Sequence, residues 1–175
     1  SHLLGHNPKI FRNSINKMLR SNVSNFAAKN KYTTEFTKTL KKVLPNYSKF
    51  IFCNSGTEAV MKSLRVARAV TQKEIIISVS GSWHGSTSEL LYTNNKKLES
   101  IELSSGLDLN FKKNLKIIPY NNISLSKKIL DKYKKKIMCV IIEPIQGCLP
   151  TESLDFLKFL DNYCKKNKLI LIFDE

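Results

Sequence analysis

No two of the four cysteines, Cys53, Cys139, Cys148 and Cys164, form a C-x-x-C pair. That argues against a zinc ribbon as the organising device. An apolar run of about 18 residues is also missing, as is any secretion leader, so nothing reads as a membrane span or membrane partner. The thiols are expected to be reduced and buried, as in a cytoplasmic protein. Neither G-x-G-x-x-G nor the G-x-x-x-x-G-K-[ST] phosphate loop occurs. Acid is short: 14 Asp and Glu face 29 Lys and Arg, for a net charge of +15. Such a balance raises the question of a nucleic-acid partner. Arginine is scarce, however, and the lysines are scattered. Their densest run, Lys132-Tyr133-Lys134-Lys135-Lys136, ends a predicted helix, where cations suit the helix dipole. A solvated basic face accounts for them, with no nucleic-acid partner.

What is present is a chain of 175 residues, 42% hydrophobic, long enough to bury a core. It starts without an initiator Met and stops on the apolar run 169–173 followed by Asp174-Glu175. We expect it to be a piece of a longer chain. Helices are predicted over Pro8–Arg20, with Ile10, Phe11, Ile15, Met18 and Leu19 as an apolar stripe closed by Ser and Asn, and over Thr34–Leu44, ended by Pro45. A short strand is expected at Lys49–Cys53. Asn54-Ser55-Gly56-Thr57 then opens a helix to about Val70, with Lys62, Arg65 and Arg68 on one face and Ala59, Val60, Leu64 and Ala67 packing. Strands at 74–79, 115–119, 137–142 and 169–173 alternate with helices at 124–136 and 153–166. In the last helix Ser153 reads as the N-cap, with Leu154, Leu157, Leu160, Tyr163 and Cys164 inward. Residues 93–114 carry no firm period and read as loop.

Alternating elements with continuously apolar strands predict an α/β fold, a mostly parallel sheet with helices on both faces. Ligands of such sheets bind beyond the carboxyl ends of the strands. That rim collects Asn54 to Thr57, Gly81-Ser82-Trp83-His84, Tyr120-Asn121, Glu143-Pro144-Ile145-Gln146 and Asp174-Glu175. Ser55, Gly56 and Thr57 stand at a helix start, where free N–H groups and the dipole favour an anion. They would serve equally as a plain N-cap. Trp83 suits stacking on a flat ring, or packing on the core. His84 reads as a hydrogen-bonded loop histidine or a base. Asp174, behind five apolar residues, needs a partner: a cap, a salt bridge or a protonated ring nitrogen. At about 4 Å and an effective dielectric near 20 the last is worth about 4 kcal/mol before desolvation, enough to keep a pyridine nitrogen protonated near neutral pH. Phosphate seat, ring stacker and pyridinium partner together describe a pyridoxal phosphate site.

The stretches LLGHNPKI (3–10), FCNSGTEAVMKSLRVARAVTQKEIIISVSGSWHG (52–85), PYNN (119–122), VIIEPIQG (140–147) and LILIFDE (169–175) resemble, in order, the class III aminotransferases of fold type I. Within them the chain is similar to the glutamate-1-semialdehyde aminomutase group. The resemblance implies the large domain of that fold, with residues 1–45 as a helical lead-in, residues 46–175 as part of the domain that binds pyridoxal 5'-phosphate, and the small C-terminal domain not included. It implies a cup for the cofactor phosphate at Ser55, Gly56 and Thr57. Trp83 takes the ring-stacking place, usually Tyr or Phe, and His84 continues that motif. Glu143 lies near the cofactor and its aspartate, Asp174 pairs with the pyridine nitrogen, and Gln146 sits where members of the family vary with substrate, a candidate substrate residue. Glu143 and Asp174 are the implied catalytic pair, and the Schiff-base lysine is expected beyond Glu175, which would leave this piece inactive alone. A small amino substrate and a homodimer of the whole protein are implied as well. Two stretches, 86–114 and 148–153, depart from the aminomutase pattern. The alternatives are another class III substrate, an ω-amine or amino sugar, or a non-catalytic basic module that binds phosphate or nucleic acid.

Overall fold

In the computed structural model, residues 3–21, 30–95, 97, 99–148, 150 and 153–175 are described. The chain divides into two units, Ser1–Phe50 and Ile51–Glu175.

The first unit carries α1 (Lys9–Leu19) and α2 (Lys31–Val43). Pro8 stands at the N-cap of α1, where its missing N–H costs nothing. The apolar stripe of α1 is not buried: Ile10, Phe11, Ile15 and Leu19 are exposed. Ser21 follows the helix, whereas Asn22 of the expected stop lies outside the described residues. Helix α2 begins three residues before the predicted Thr34. Asn30 accepts from the Thr33 N–H at 3.0 Å, and Thr33 Oγ1 accepts from the Asn30 N–H at 3.1 Å. This reciprocal cap uses Thr where the common signature has Glu or Gln, so it is easily missed in a sequence. The Tyr32 and Ser21 hydroxyls lie 3.0 Å apart.

The second unit is built on four parallel strands in the order β4-β1-β5-β6: β1 (Ile75–Val79), β4 (Leu115–Ile118), β5 (Ile137–Ile142) and β6 (Ile170–Phe173). Every residue of β1 and β5 is buried, the pattern of strands covered on both faces. Alternation splits the core into two layers. Ile75, Ile77, Val79, Val140 and Ile142 pack with Leu130 of α5 (Ile123–Tyr133) and with Phe156 and Leu160 of α6 (Leu154–Asn167). Ile76, Met138, Cys139 and Ile141 pack with Val60, Leu64 and Ala67 of α3 (Gly56–Thr71). Met138 and Cys139 are neighbours yet share a layer, because the pairing slips there: Ile75 faces Ile137 while Ile76 faces Cys139. One extra residue on β5 is a bulge. Tyr163 of α6 ties that helix to α5 by donating to Asp131 at 2.7 Å.

Several expectations are corrected. Lys49–Cys53 forms no strand: a few β-prone residues do not make one without a covered face, and Ile51 is exposed. The stretch 93–114 is not loop throughout. It holds a hairpin of β2 (Tyr92–Asn94) and β3 (Ser100–Glu102), then α4 (Leu109–Asn114). Elements of three to six residues are too short to show a period. Ala59 is exposed and does not pack. In α6 the inward residue of the first turn is Phe156, with Leu154 exposed. Ser153 takes the N-cap position but its side chain makes no cap bond.

The thiols are not uniformly buried. Cys139 and Cys164 are, Cys53 is half-buried and Cys148 is exposed. Burial pushes the Cys139 thiol up to about 12, with Arg68 working against that rise and Glu89 with it. Burial, helped by Asp161, pushes Cys164 up to about 12. At pH 8 roughly one such thiol in 10⁴ is ionised. A thiolate-directed reagent at that pH should therefore label Cys148 and spare Cys139 and Cys164 until denaturant is added. Labelling of Cys139 as fast as Cys148 in the native protein would contradict this burial.

Candidate functional site at the carboxyl rim of the sheet

Because the strands are parallel, their carboxyl ends share one edge, and the candidate residues follow directly from β1, β5 and β6. Helix α3 brings its N-terminus to the same loop. Ser55 is its N-cap: the side chain accepts from the Glu58 N–H at 3.2 Å. The hydroxyl proton of Ser55 remains available for donation. The amides of Gly56 and Thr57 precede the first intrahelical bond, which runs from the Ala59 N–H to the Ser55 carbonyl. A side chain on Gly56 would meet nothing within 4 Å, so space is open above this turn. The Glu58 carboxylate reaches back past the N-cap and accepts from the Asn54 N–H at 2.9 Å.

Thr57 joins the helix to the loop after β1. Its Oγ1 accepts from the Ser86 N–H at 3.1 Å. Gly85 crosses the helix start here with φ +76. An added Cβ would lie 3.0 Å from the Thr57 Cα and closer still to its Oγ1. Gly85 thus has two reasons to be glycine, the left-handed backbone and the approach to α3.

His84 is buried, at 3% exposure. Its Nδ1 lies 2.8 Å from Asp174 Oδ2. An ionised carboxylate only accepts, so Nδ1 carries the shared proton. Nε2 is then the buried atom without a partner, alone in this respect among the described residues. Asp174 extends the ladder past β6, its N–H bonded to the Ile142 carbonyl at 2.9 Å. Its side chain keeps 24% exposure, whereas that of His84 keeps 1%.

Glu143 follows β5 and spans two loops. Oε2 accepts from the Trp83 N–H at 2.8 Å and Oε1 from the Gly147 N–H at 3.3 Å. Held from its backbone, Trp83 stands 51% exposed. Gln146, by contrast, is 2% exposed and donates to the Ser80 carbonyl and the Ser82 hydroxyl. Tyr120 packs edge-on to Phe156 at 5.7 Å, against the core layer of α6.

Thr57, Trp83, His84, Glu143, Gln146 and Asp174 are thus linked through one loop, residues 80–86. Ser82 stands on the expected rim and Gly85 in the expected motif, but neither their linking roles nor those of Ser80 and Ser86 show in the sequence. Glycines flanking Ser-Trp-His were the available signal of a loop pressed against neighbours. Of the 148–153 stretch, residues 149, 151 and 152 lie outside the described residues.

Gly85→Ala should destabilise the protein more than Gly106→Ala. Both glycines have positive φ, but Gly106 faces open space. The second change should cost about 1 kcal/mol of left-handed strain, and the first that plus displacement of α3. Denaturant melts of the two variants check it, and equal losses would contradict the contact with Thr57.

A family model for class-III aminotransferases matches residues 1–175. A glutamate-1-semialdehyde 2,1-aminomutase of Wigglesworthia glossinidia brevipalpis is 34% identical over 180 residues, covering 99% of this chain and 41% of the relative. Another, from Thermodesulfovibrio yellowstonii, is 33% identical over 178 residues with the same coverage. Among solved structures, an omega-transaminase from Sphaerobacter thermophilus superposes with a TM-score of 0.86 at 23% identity, over 97% of this chain and 41% of its own. A transaminase with PLP bound gives 0.85 at 26% identity, over 95% and 40%. A glutamate-1-semialdehyde aminomutase from Pseudomonas aeruginosa PAO1 gives 0.85 at 15%, over 98% and 38%. The α/β arrangement is therefore that of fold type I, in part: the chain spans about 41% of the length of the curated relatives it matches. With its whole length matched by the family model and its sheet by the solved folds, this chain belongs to the class III aminotransferases.

Proposed function

We propose that the protein to which this chain belongs is a pyridoxal-phosphate-dependent aminomutase or aminotransferase acting on a small amino substrate. The curated relatives favour an amino aldehyde of the glutamate-1-semialdehyde kind. Residues 51–175 would be part of its cofactor-binding large domain.

The residues present fit the cofactor. The open turn at Gly56 and the amides of the first turn of α3 offer donors and a positive dipole end to a phosphate. Thr57 Oγ1 already accepts from Ser86, and its hydroxyl proton is left to donate. Exposed Trp83 offers an indole face to the ring. Asp174 is the acceptor for a protonated ring nitrogen. The bond from His84 occupies one of its oxygens and fixes the direction of the other. When bound, pyridoxal phosphate withdraws electrons from the amino-bearing carbon of a substrate. The part of Asp174 is to hold the proton on the ring nitrogen that makes this possible. Glu143 acts one step back, keeping the Trp83 backbone in place.

The single observation that carries this reading is the connection from the N-terminus of α3 through Thr57, Ser86 and His84 to Asp174. A phosphate seat and a ring-nitrogen acceptor are held by the two ends of one three-residue stretch.

A different class III substrate, an ω-amine or an amino sugar, is the second reading, favoured by the omega-transaminase neighbour only at the level of fold. A homodimer, a cytoplasmic location and the absence of nucleic-acid and membrane partners complete the proposal. Its support is the family membership, the dispersed lysines, and the fact that no described helix is long and apolar enough to cross a membrane.

The full-length protein should take up pyridoxal phosphate with a visible absorption band. Asp174→Ala should lower turnover by on the order of 10³-fold, the rate equivalent of about 4 kcal/mol. Steady-state kinetics with saturating cofactor check it, and unchanged turnover would remove Asp174 from the ring-nitrogen role.

A further inference from the structure

We propose that Gln146 is a positioning residue for the loop that carries Trp83 and His84, rather than a contact for the substrate. The inference rests on the cofactor reading above and deepens it.

Both N–H groups of the Gln146 amide are used inside the protein. Nε2 donates to the Ser80 carbonyl at 2.9 Å and to the Ser82 hydroxyl at 3.2 Å. At 2% exposure Gln146 is almost wholly enclosed. Its carbonyl edge lies flat against Gly81: a Cβ there would be 3.2 Å from Oε1. Gly81 has φ +85, and the Ser82 N–H closes the turn onto the Val79 carbonyl at 3.2 Å. This is a tight turn with a left-handed third residue, where glycine is favoured. Ser80 in turn is tied to β4 by its N–H, bonded to the Ile118 carbonyl at 2.8 Å.

Trp83 follows directly, its N–H on Glu143 Oε2 at 2.8 Å. The segment Glu143-Pro144-Ile145-Gln146-Gly147 therefore grips residues 80–83 at three points: the Ser80 carbonyl, the Ser82 hydroxyl and the Trp83 amide. Glu143 is itself braced by the Gly147 N–H. The turn after β5 is thus a splint for the turn after β1. A stacking indole and a histidine on a carboxylate need their backbone fixed to a fraction of an ångström, and a doubly bonded buried amide does that. Nothing of the Gln146 donor set remains for a substrate.

The test compares wild-type and Gln146→Glu holoenzyme. The variant keeps the shape and turns an acceptor toward the Ser80 carbonyl. Three quantities are read: pyridoxal phosphate affinity, the Trp83-dependent quenching of fluorescence on cofactor binding (the difference from Trp83→Phe), and KM for the amino substrate at saturating cofactor. The expected result is cofactor affinity weakened about tenfold and diminished Trp83 quenching, with KM changed by less than about twofold. A KM raised tenfold or more with affinity and quenching intact would make Gln146 a substrate residue and overturn the proposal. Should Gln146→Glu fail to fold, Ser82→Ala removes one bond of the splint. It should move affinity and quenching the same way by a smaller factor, and an unchanged Ser82→Ala enzyme would overturn the proposal too. Wild type that takes up no pyridoxal phosphate would instead sink the proposed function itself, and is read from the wild-type titration alone.

Discussion

The organisation of this unit follows from burying four parallel strands together. Parallel strands need crossovers: α5, between β4 and β5, and α6, between β5 and β6, cover one layer of the core, while α3, which leads into β1, covers the other. With both faces covered, β1 and β5 have no solvent side on which to carry polar groups. Polar side chains can serve a ligand only where the strands stop. One directional constraint therefore concentrates Trp83, His84, Glu143 and Asp174 at a single edge.

The rim residues then hold one another by a division of labour. Carboxylates and amides that look chemical in the sequence are spent partly on backbone donors and acceptors. Glu143 takes the Trp83 and Gly147 N–H groups, and Gln146 takes Ser80 and Ser82. His84 is spent on Asp174, with its other nitrogen buried. What stays open is the start of α3, with Trp83 exposed and Asp174 partly so. A loop so heavily bonded loses little further entropy when a ligand arrives, which favours affinity.

Much of this was legible because the sheet writes itself in runs of Ile, Val and Leu. Ile137–Ile142 and Ile75–Val79 admit no other reading once helices alternate with them. The rim followed from those runs by rule. Elements that depend on weak local signals were not legible. The hairpin at Tyr92 and Ser100 has strands of three residues, and Lys49–Cys53 has strand composition without a covered face to stabilise it. The cap of α2 rests on Thr33 in a place where acids are the usual sign. In the site, residue types gave chemistry but not direction. Nothing in Glu-Pro-Ile-Gln says that the glutamine turns into the protein, because that depends on where Ser80 and Ser82 are brought by another strand.

If one rim holds the two ends of a phosphorylated pyridine, a crystal structure of the full-length protein with pyridoxal phosphate will show both ends in place. Phosphate density is expected on the Gly56 and Thr57 amides, the ring under Trp83, and the ring nitrogen within hydrogen-bond distance of Asp174. A cofactor bound with its phosphate away from α3, or its nitrogen away from Asp174, would contradict that arrangement.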